Sequence, residues 1–547
     1  MIAAPNITID YTGYSYSKPE LKSIYKTLLL PRLIEERMLI CLRQGKISKW
    51  FSAWGQEAIS VGTAMAMQED EYICTMHRNL GIFTTRNIPL NKLFAQFQGK
   101  KEGFTNGRDR SFHFGTNEFN IVGMISHLGS QMGVADGIAL GNKLRKNKKV
   151  VTVFTGDGGA SEGDFHEAIN LAAVWDLPVL IIVENNCWGL STPSSEQFRC
   201  ESFADKGIGY GIEAHSINGN NILEVHKTIS ELTDKIRTTS KPILLECTTF
   251  RMRGHEEASG TKYYPEGLQD SWEPFDPITT FEQHIIETGV LSVTEIADLK
   301  DELNQHIVDE FDLASTYPQP ELSVEKEEAD IYAPFEPAIS VPAKIKMEEM
   351  RFVDAIALAV KQAMEMHSNL VLMGQDIADY GGVFKITDGL LAKYGKERVR
   401  NTPITEAAVV GAALGLSING FKSMMEMQFS DFATEGFNQI VNNLAKSHYR
   451  WAQNADVVVR MPCGAGVGAG PYHSQSNEAW YTQVPGLKVA YPAFPEDAKA
   501  LLLTSFEDPN PVIFFEHKKL YRTVCAPVTQ AYHTLPFGKG IKRTEGE

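Results

Sequence analysis

The sequence predicts an α/β protein made of two doubly wound parallel-sheet domains joined by a linker, and three observations carry that prediction. Short unbroken apolar runs, VLIIV at 179–183 and LVLM at 370–373, have the composition of strands buried on both faces of a parallel sheet. Stretches of helical period alternate with such runs, and one segment rich in proline and acid divides the pattern into two. A chain of 547 residues has room for about three or four globular units, each with its own core.

Taken in order, VVTVF at 150–154 reads as a strand, 164–175 as a helix and VLIIV as the next strand, which together make a βαβ unit. Between about 315 and 344, Pro318, Pro320, Pro334, Pro337 and Pro342 are interleaved with the acids of VEKEEAD, and no apolar period persists. That segment is read as a linker. Beyond it, Phe352, Ala355, Ile356, Ala359, Val360, Ala363 and Met364 fall on one helical face, and LVLM follows as a buried strand. The expected domains are therefore 1–314 and 345–530, with 315–344 as the linker and 531–547 as the start of a further domain whose remainder is missing.

Charge and composition narrow the function. With 52 Lys and Arg against 68 Asp and Glu, the net charge of −16 argues against nucleic acid or an anionic membrane as a partner. No apolar run approaches the ~20 residues needed to span a bilayer, so no membrane is expected. The seven cysteines are scattered without a C-x-x-C pair, which suits a reducing compartment. The opening MIAAPNITIDYTG lacks the basic segment and apolar run of a secretory signal. A cytoplasmic protein is expected.

Two loops carry the chemistry. The first predicted strand runs into GDGGASEG at 156–163, and the second into Glu184-Asn185-Asn186. Both lie at carboxyl ends of parallel strands, where open α/β sheets bind ligands, so Asp157 and Asn186 can meet in space. A carboxylate and an amide oxygen are hard ligands suited to magnesium, which is commonly shared with phosphates. The glycines let the backbone approach a diphosphate, and the following helix offers its N-terminal N–H groups to the anion. A bare G-D-G is more often a helix-capping turn; the N-N pair closing the next strand turns the reading toward a thiamin diphosphate site. A nicotinamide site fits less well, because Ser161 replaces the third glycine of G-x-G-x-x-G. Zinc fits no better: HEAIN from His166 and HEEAS from His255 lack the second histidine of H-E-x-x-H.

Beside these loops stand GQEA at 55–58, His77-Arg78, STPSSEQF at 191–198 and RMRGH at 251–255. Together they resemble the α subunit of the 2-oxoacid dehydrogenase decarboxylases. TPITE at 402–406, EMQFSDF at 426–432, YHSQS at 472–476 and GLKVAYP at 486–492 resemble the β subunit of the same enzymes. The resemblance covers nearly the whole chain and implies a fused αβ polypeptide with two thiamin diphosphate-binding-type domains, the first holding diphosphate and magnesium and the second the aminopyrimidine.

Carried over motif by motif, the resemblance implies that Asp157, the amide of Asn186 and the backbone oxygen of Trp188 ligate Mg2+. The family usually has tyrosine at the last position. Gly158 and Gly159 would line the diphosphate, Arg78 would pair with it through its planar fork of donors, and His77 and Val122 would adjoin the cofactor. Glu406 would hydrogen-bond the aminopyrimidine ring and take part in activating the cofactor. His255 and His473 are the acid–base candidates, because an imidazole ordinarily titrates near neutrality, and His473 is assigned to acyl transfer. Gln428 and Phe432 resemble positions lining the cofactor and substrate pocket. Glu256-Glu257-Ala258-Ser259 stands where animal relatives carry kinase-targeted serines, so that control is not expected.

The implied reaction is oxidative decarboxylation of a 2-oxo acid with transfer of the acyl group to the lipoyl domain of a dihydrolipoyl acyltransferase. The implied assembly is a homodimer of fused chains. STPSSEQF and EMQFSDF favour branched-chain substrates, with pyruvate and acetoin as alternatives. A transketolase-like enzyme would need further basic residues for a sugar phosphate, and a noncatalytic scaffold would not need Asp157, Asn186, Glu406 and His473 intact.

Overall fold

The computed structural model describes residues 7–109, 112–337 and 346–546, so the end of the expected linker, including Pro342, lies outside the described residues. Chain contacts divide the protein into two units, Met1–Ala135 with Arg145–Leu322 and Asp136–Leu144 with Ser323–Glu547, fewer than the length alone allows. Each unit contains one six-stranded sheet in which every pairing is parallel.

In the first unit the strands are β1 (Ile73–Cys74), β2 (Ile121–Val122), β3 (Val151–Gly156), β4 (Val179–Asn185), β7 (Glu213–Asn218) and β8 (Ile243–Thr248). A small antiparallel ribbon of β5 (Trp188–Gly189) and β6 (Thr192–Pro193) lies outside that sheet. The sheet order is β2-β1-β3-β4-β8-β7. VLIIV lies wholly within β4, between β3 and β8, with Ile181 opposite Val153 and Leu244, and every residue of the strand is buried. The helix expected at 164–175 is Gly163–Trp175, which ends on Asp176 in the left-handed region. Asn221 caps the helix Ile222–Thr239 by accepting from the amides of Leu223 and Glu224.

In the second unit β9 (Met347–Arg351) forms an antiparallel ribbon with β16 (Cys525–Thr529). The sheet consists of β10 (Leu370–Gly374), β11 (Val399–Asn401), β12 (Lys422–Glu426), β13 (Val457–Cys463), β14 (Lys488–Ala490) and β15 (Val512–His517), in the order β11-β10-β12-β13-β15-β14. The helical face read from Phe352 to Met364 is buried in the helix Phe352–Met366, and LVLM is the body of β10. Arg460 in the middle strand is fully buried and paired with Glu426 and Glu516 from its two neighbours; Tyr521 donates to Glu516 Oε2 at 2.5 Å. A guanidinium in this apolar setting persists because both carboxylates compensate it.

Numbered within each sheet, the strand order is the same in both: second, first, third, fourth, sixth, fifth. The chain leaves the first strand toward one edge and returns to its other side, so each sheet has a switch point between its first and third strands, where a crevice opens at the carboxyl ends.

The expected linker is partly helical. Ser323 caps Val324–Ile331, whose Glu, Lys and Ala favour the helix. Residues 531–546 carry no helix or strand; Lys499 donates to Ala531 O at 2.6 Å and Leu535 N to Thr504 Oγ1 at 3.0 Å, which ties the segment to the helix Pro495–Glu507. Among the described residues no helix is long and apolar enough to cross a membrane.

Candidate active site

The loops after β3 and β4 line one cavity in the first unit. Asp157, Gly158, Gly159, Asn186 and Trp188 line it together with His77, Arg78, Glu184, Arg251 and His255. Asp157 is 2% exposed and accepts from Ser194 Oγ at 2.8 Å; burial pushes its carboxyl above the usual range. Asn186 Oδ1 accepts from Trp188 N at 3.1 Å, and its Nδ2 donates to Gln56 Oε1 at 3.3 Å. Among the described residues no cluster of three His, Cys, Asp or Glu could hold a metal, so a cation here would depend on amide and backbone oxygens beside Asp157.

The two glycines are required sterically. A Cβ on Gly158 would lie 2.9 Å from the Gly189 Cα, and one on Gly159 would lie 2.6 Å from Thr155 Oγ1. Arg78 Nη1 donates to Ser52 O at 2.8 Å and Nη2 to His255 O at 2.5 Å, while Arg251 donates to Tyr263, Tyr264 and the Leu190 carbonyl. All of these acceptors are neutral. Burial, then Arg251, pushes Arg78 down to about 9, so it stays cationic at neutral pH without a hydrogen-bonded carboxylate. Two buried guanidiniums, a glycine turn and a buried carboxylate form a donor set that fits a diphosphate with its divalent cation.

Two histidines of this cavity, His77 and His255, depart from the ordinary imidazole. Burial, then Arg78 and Arg251, pushes His255 down to about 3, and burial holds His77 well below the usual value. Both are neutral at physiological pH, so the near-neutral titration expected of His255 is not what this site provides. Phe51 packs edge-on against both rings, with centroids 4.9 and 5.6 Å away. A second cavity of about 480 Å³ shares His77, Gly158 and His255 with the first and adds Phe51, His113, Met124 and Ser126. Val122 is buried at the carboxyl end of β2, just ahead of that lining.

Sequence reasoning missed the groups behind the pocket. Asn79 donates to Glu184 Oε1 at 2.7 Å and accepts from Met76 N at 2.7 Å, which fixes the turn bearing His77 and Arg78. The other oxygen of Glu184 is buried without a partner, and burial pushes its carboxyl up to about 7. Glu35 accepts from Ser52 Oγ and, at 3.1 Å, from Ala53 N; Glu57 accepts from Gly55 N at 3.0 Å and pairs with Arg32 at 2.5 Å. Segment 51–56, which meets Arg78 through Ser52 and Asn186 through Gln56, is thus pinned by two buried carboxylates. GQEA was the visible signal for part of this; Glu35 had none. In the loop after His255, Glu257 binds Arg253 through two hydrogen bonds of 2.6 and 2.8 Å and is not a free acid.

In the second unit the remaining expected residues sit at the carboxyl edge of its sheet. Glu406 opens the helix Glu406–Ile418, is 7% exposed, and accepts from Gln375 Nε2 at 2.9 Å. Gln428, just beyond β12, donates to Asp376 Oδ2 at 2.9 Å. His473 packs edge-on against Phe429 and Phe432, centroids 4.8 and 5.5 Å away, with its Nδ1 buried and unpartnered. Gln375, Asp376 and Phe429 are additions from the structure.

Known proteins resemble the chain in two parts. Residues 25–323 match the family model described as dehydrogenase E1 component, and 348–524 match the transketolase pyrimidine-binding domain. The first part is 34% identical over 296 residues to the 2-oxoisovalerate dehydrogenase subunit alpha of Bacillus subtilis, covering 53% of this chain and 87% of that subunit. The second is 43% identical over 205 residues to the subunit beta of the same organism, covering 37% of this chain and 62% of the relative. It is also 40% identical over 195 residues to the pyruvate dehydrogenase E1 component subunit beta of Acholeplasma laidlawii, covering 35% of this chain and 60% of the relative. The chain therefore spans less than two thirds of those beta subunits. With its α-like and β-like parts in one polypeptide, the chain belongs to the dehydrogenase E1 component family.

Proposed function

We propose that this chain binds thiamin diphosphate through Mg2+ and decarboxylates a 2-oxo acid, passing the acyl group to the lipoyl group of a dihydrolipoyl acyltransferase. The observation that carries the reading is the cavity at the ends of β3 and β4, where buried Arg78 and Arg251 face a glycine turn and the carboxylate of Asp157. When bound, the cofactor supplies the electron sink for loss of carbon dioxide. Asp157, Asn186 Oδ1 and the Trp188 carbonyl would hold the cation; Gly158, Gly159 and Arg78 would hold the diphosphate. His77 and His255, both neutral, serve as hydrogen-bonding walls, and Val122 backs the crevice.

Glu406 presents a buried carboxylate, oriented by Gln375, which would hold the aminopyrimidine and keep or release a proton at its oxygen. His473 is the group for acyl transfer, and Gln428 and Phe432 belong to the substrate side. Branched-chain 2-oxo acids are the preferred substrates, supported by the names of both Bacillus subtilis relatives. Pyruvate is the second reading, supported by the Acholeplasma relative. We assign the working form to a cytoplasmic homodimer.

Two measurements test this. Calorimetric titration with thiamin diphosphate should give saturable heat that depends on magnesium; no heat in either condition overturns the reading and leaves a scaffold. A panel of 2-oxo acids assayed with an artificial electron acceptor should rank 2-oxoisovalerate above pyruvate, and the reverse order selects the second reading.

A further inference from the structure

The segment that delivers His473 has little to hold it. Gly464, Gly466, Gly468 and Gly470 all adopt positive φ, and a Cβ on Gly468 or Gly470 would meet nothing within 4 Å. At 468 and 470 the chain therefore has open space beside it and only glycine's weak torsional preference, whereas Gly464 lies against His517, Gly466 against Lys519, and Pro471 opens the turn that carries the histidine. What fixes it comes after. Asp431, in the turn Ser430–Thr434 beyond β12, accepts at one oxygen from the amides of Ser474 and Gln475, both at 3.2 Å. Asn477 Nδ2 ties the same stretch to Ser430 O at 2.8 Å. Asp431 is 6% exposed, and its second oxygen is buried without a hydrogen-bond partner.

We propose that Asp431 is the positioning residue that sets the placement of His473. The argument rests on the count of constraints. Without the carboxylate, two consecutive amides lose their acceptor, and the segment is left with the Gly464 N–Gln475 O bond at 2.8 Å, the Asn477 tie and the two phenylalanine rings. The proposal deepens the functional reading above and rests on it for the step affected.

The test uses the full chain with Asp431→Ala, Asp431→Asn and His473→Ala. Asparagine keeps an acceptor oxygen for both amides while losing the charge, so it separates placement from electrostatics. Acyl transfer to a lipoyl domain should fall about 10²-fold in Asp431→Ala, as a misplaced catalytic group predicts, while decarboxylation read with an artificial acceptor changes by less than about threefold. Asp431→Asn should recover most of the transfer rate. Equal loss in both Asp431 variants, or equal loss in both assays, overturns the proposal. A readout independent of activity is limited proteolysis across 464–470: cleavage should speed up in Asp431→Ala but not in Asp431→Asn, and unchanged cleavage in both overturns it. If the wild-type chain neither binds the cofactor nor decarboxylates, the functional reading fails, and the proteolysis result still decides whether Asp431 anchors this segment.

Discussion

The two sheets share one strand order but equip the ends of their third and fourth strands differently. In the first unit those ends close on a cavity with buried guanidiniums, and the segment beside it is pinned by Glu35 and Glu57. In the second unit the fourth strand runs into a glycine-rich segment anchored by one carboxylate, Asp431, together with the Asn477–Ser430 and Gly464–Gln475 bonds. The difference follows the tasks proposed for each. A charged tail held by many donors needs a preorganised cradle, in which each donor is already paid for in conformational entropy before the anion arrives. A group that meets successive reactants gains from a segment that can yield locally.

The sharpest way to break this comparison is to separate binding from chemistry. Glu406→Gln should lower decarboxylation by about 10²- to 10⁴-fold, the scale of a lost general acid–base group, with little change in cofactor affinity. Asp157→Ala should do the opposite first, weakening magnesium-dependent cofactor binding by more than about 100-fold in calorimetry. If the Glu406 variant loses binding and the Asp157 variant retains it, the division of labour between the two sheets is wrong.

A second experiment sharpens the contrast in preorganisation through pH. Burial, then the neighbouring Glu57, raises the carboxyl of Glu35 from its ordinary value to about 7. The folded protein therefore keeps a proton that the unfolded chain releases, and this contribution to stability is complete below pH 4.5 and lost as pH rises through about 7. Glu35→Gln removes that dependence. Relative to wild type, the variant should gain stability between pH 4.5 and 7, by an amount on the order of 3 kcal/mol at most, read as a difference in denaturation midpoint across the range. A difference that stays flat with pH would mean that Glu35 is ionised in the fold. The hydrogen bond from Ser52, which also receives Arg78, should survive in this variant, because the glutamine amide keeps an acceptor oxygen.

Which of these features the sequence reveals depends on their range. β4 and β10 are legible because strands buried on both faces need consecutive apolar residues. β1 and β2 are not, since two residues each carry no period, and β7 reads as polar because it is an edge strand left half-exposed. Asp157 and Asn186 are legible as a pair because each stands at the carboxyl end of one of two neighbouring parallel strands, and both line one cavity. Glu35 and the Arg32–Asp276 pair at 2.8 Å are invisible, because their partners are distant in the chain and no local pattern announces them. Asp431 stood inside a motif, EMQFSDF, but its role depends on two amides 43 and 44 residues away.

The smallest expected effect is at Trp188, where the resemblance to the decarboxylases leads to an expectation of tyrosine. The indole packs against Tyr263 and Tyr264, with centroids 5.9 and 5.1 Å away, in a cluster with Phe250 and Trp272, and its Nε1 is buried without a partner. Replacing it with tyrosine exchanges the unsatisfied indole donor for a phenol hydroxyl that can turn toward another acceptor and removes some contact area, so terms of about 1–2 kcal/mol each leave little net change in stability. Magnesium should notice still less, because the proposed ligand is the main-chain oxygen and β5 keeps its pairing with β6 whatever side chain stands there. Trp188→Tyr should therefore shift the magnesium dependence of cofactor binding by less than about twofold. A larger loss would mean that the indole, not the backbone, shapes the cation site, and the first unit would then depend on side-chain packing as much as the second depends on Asp431.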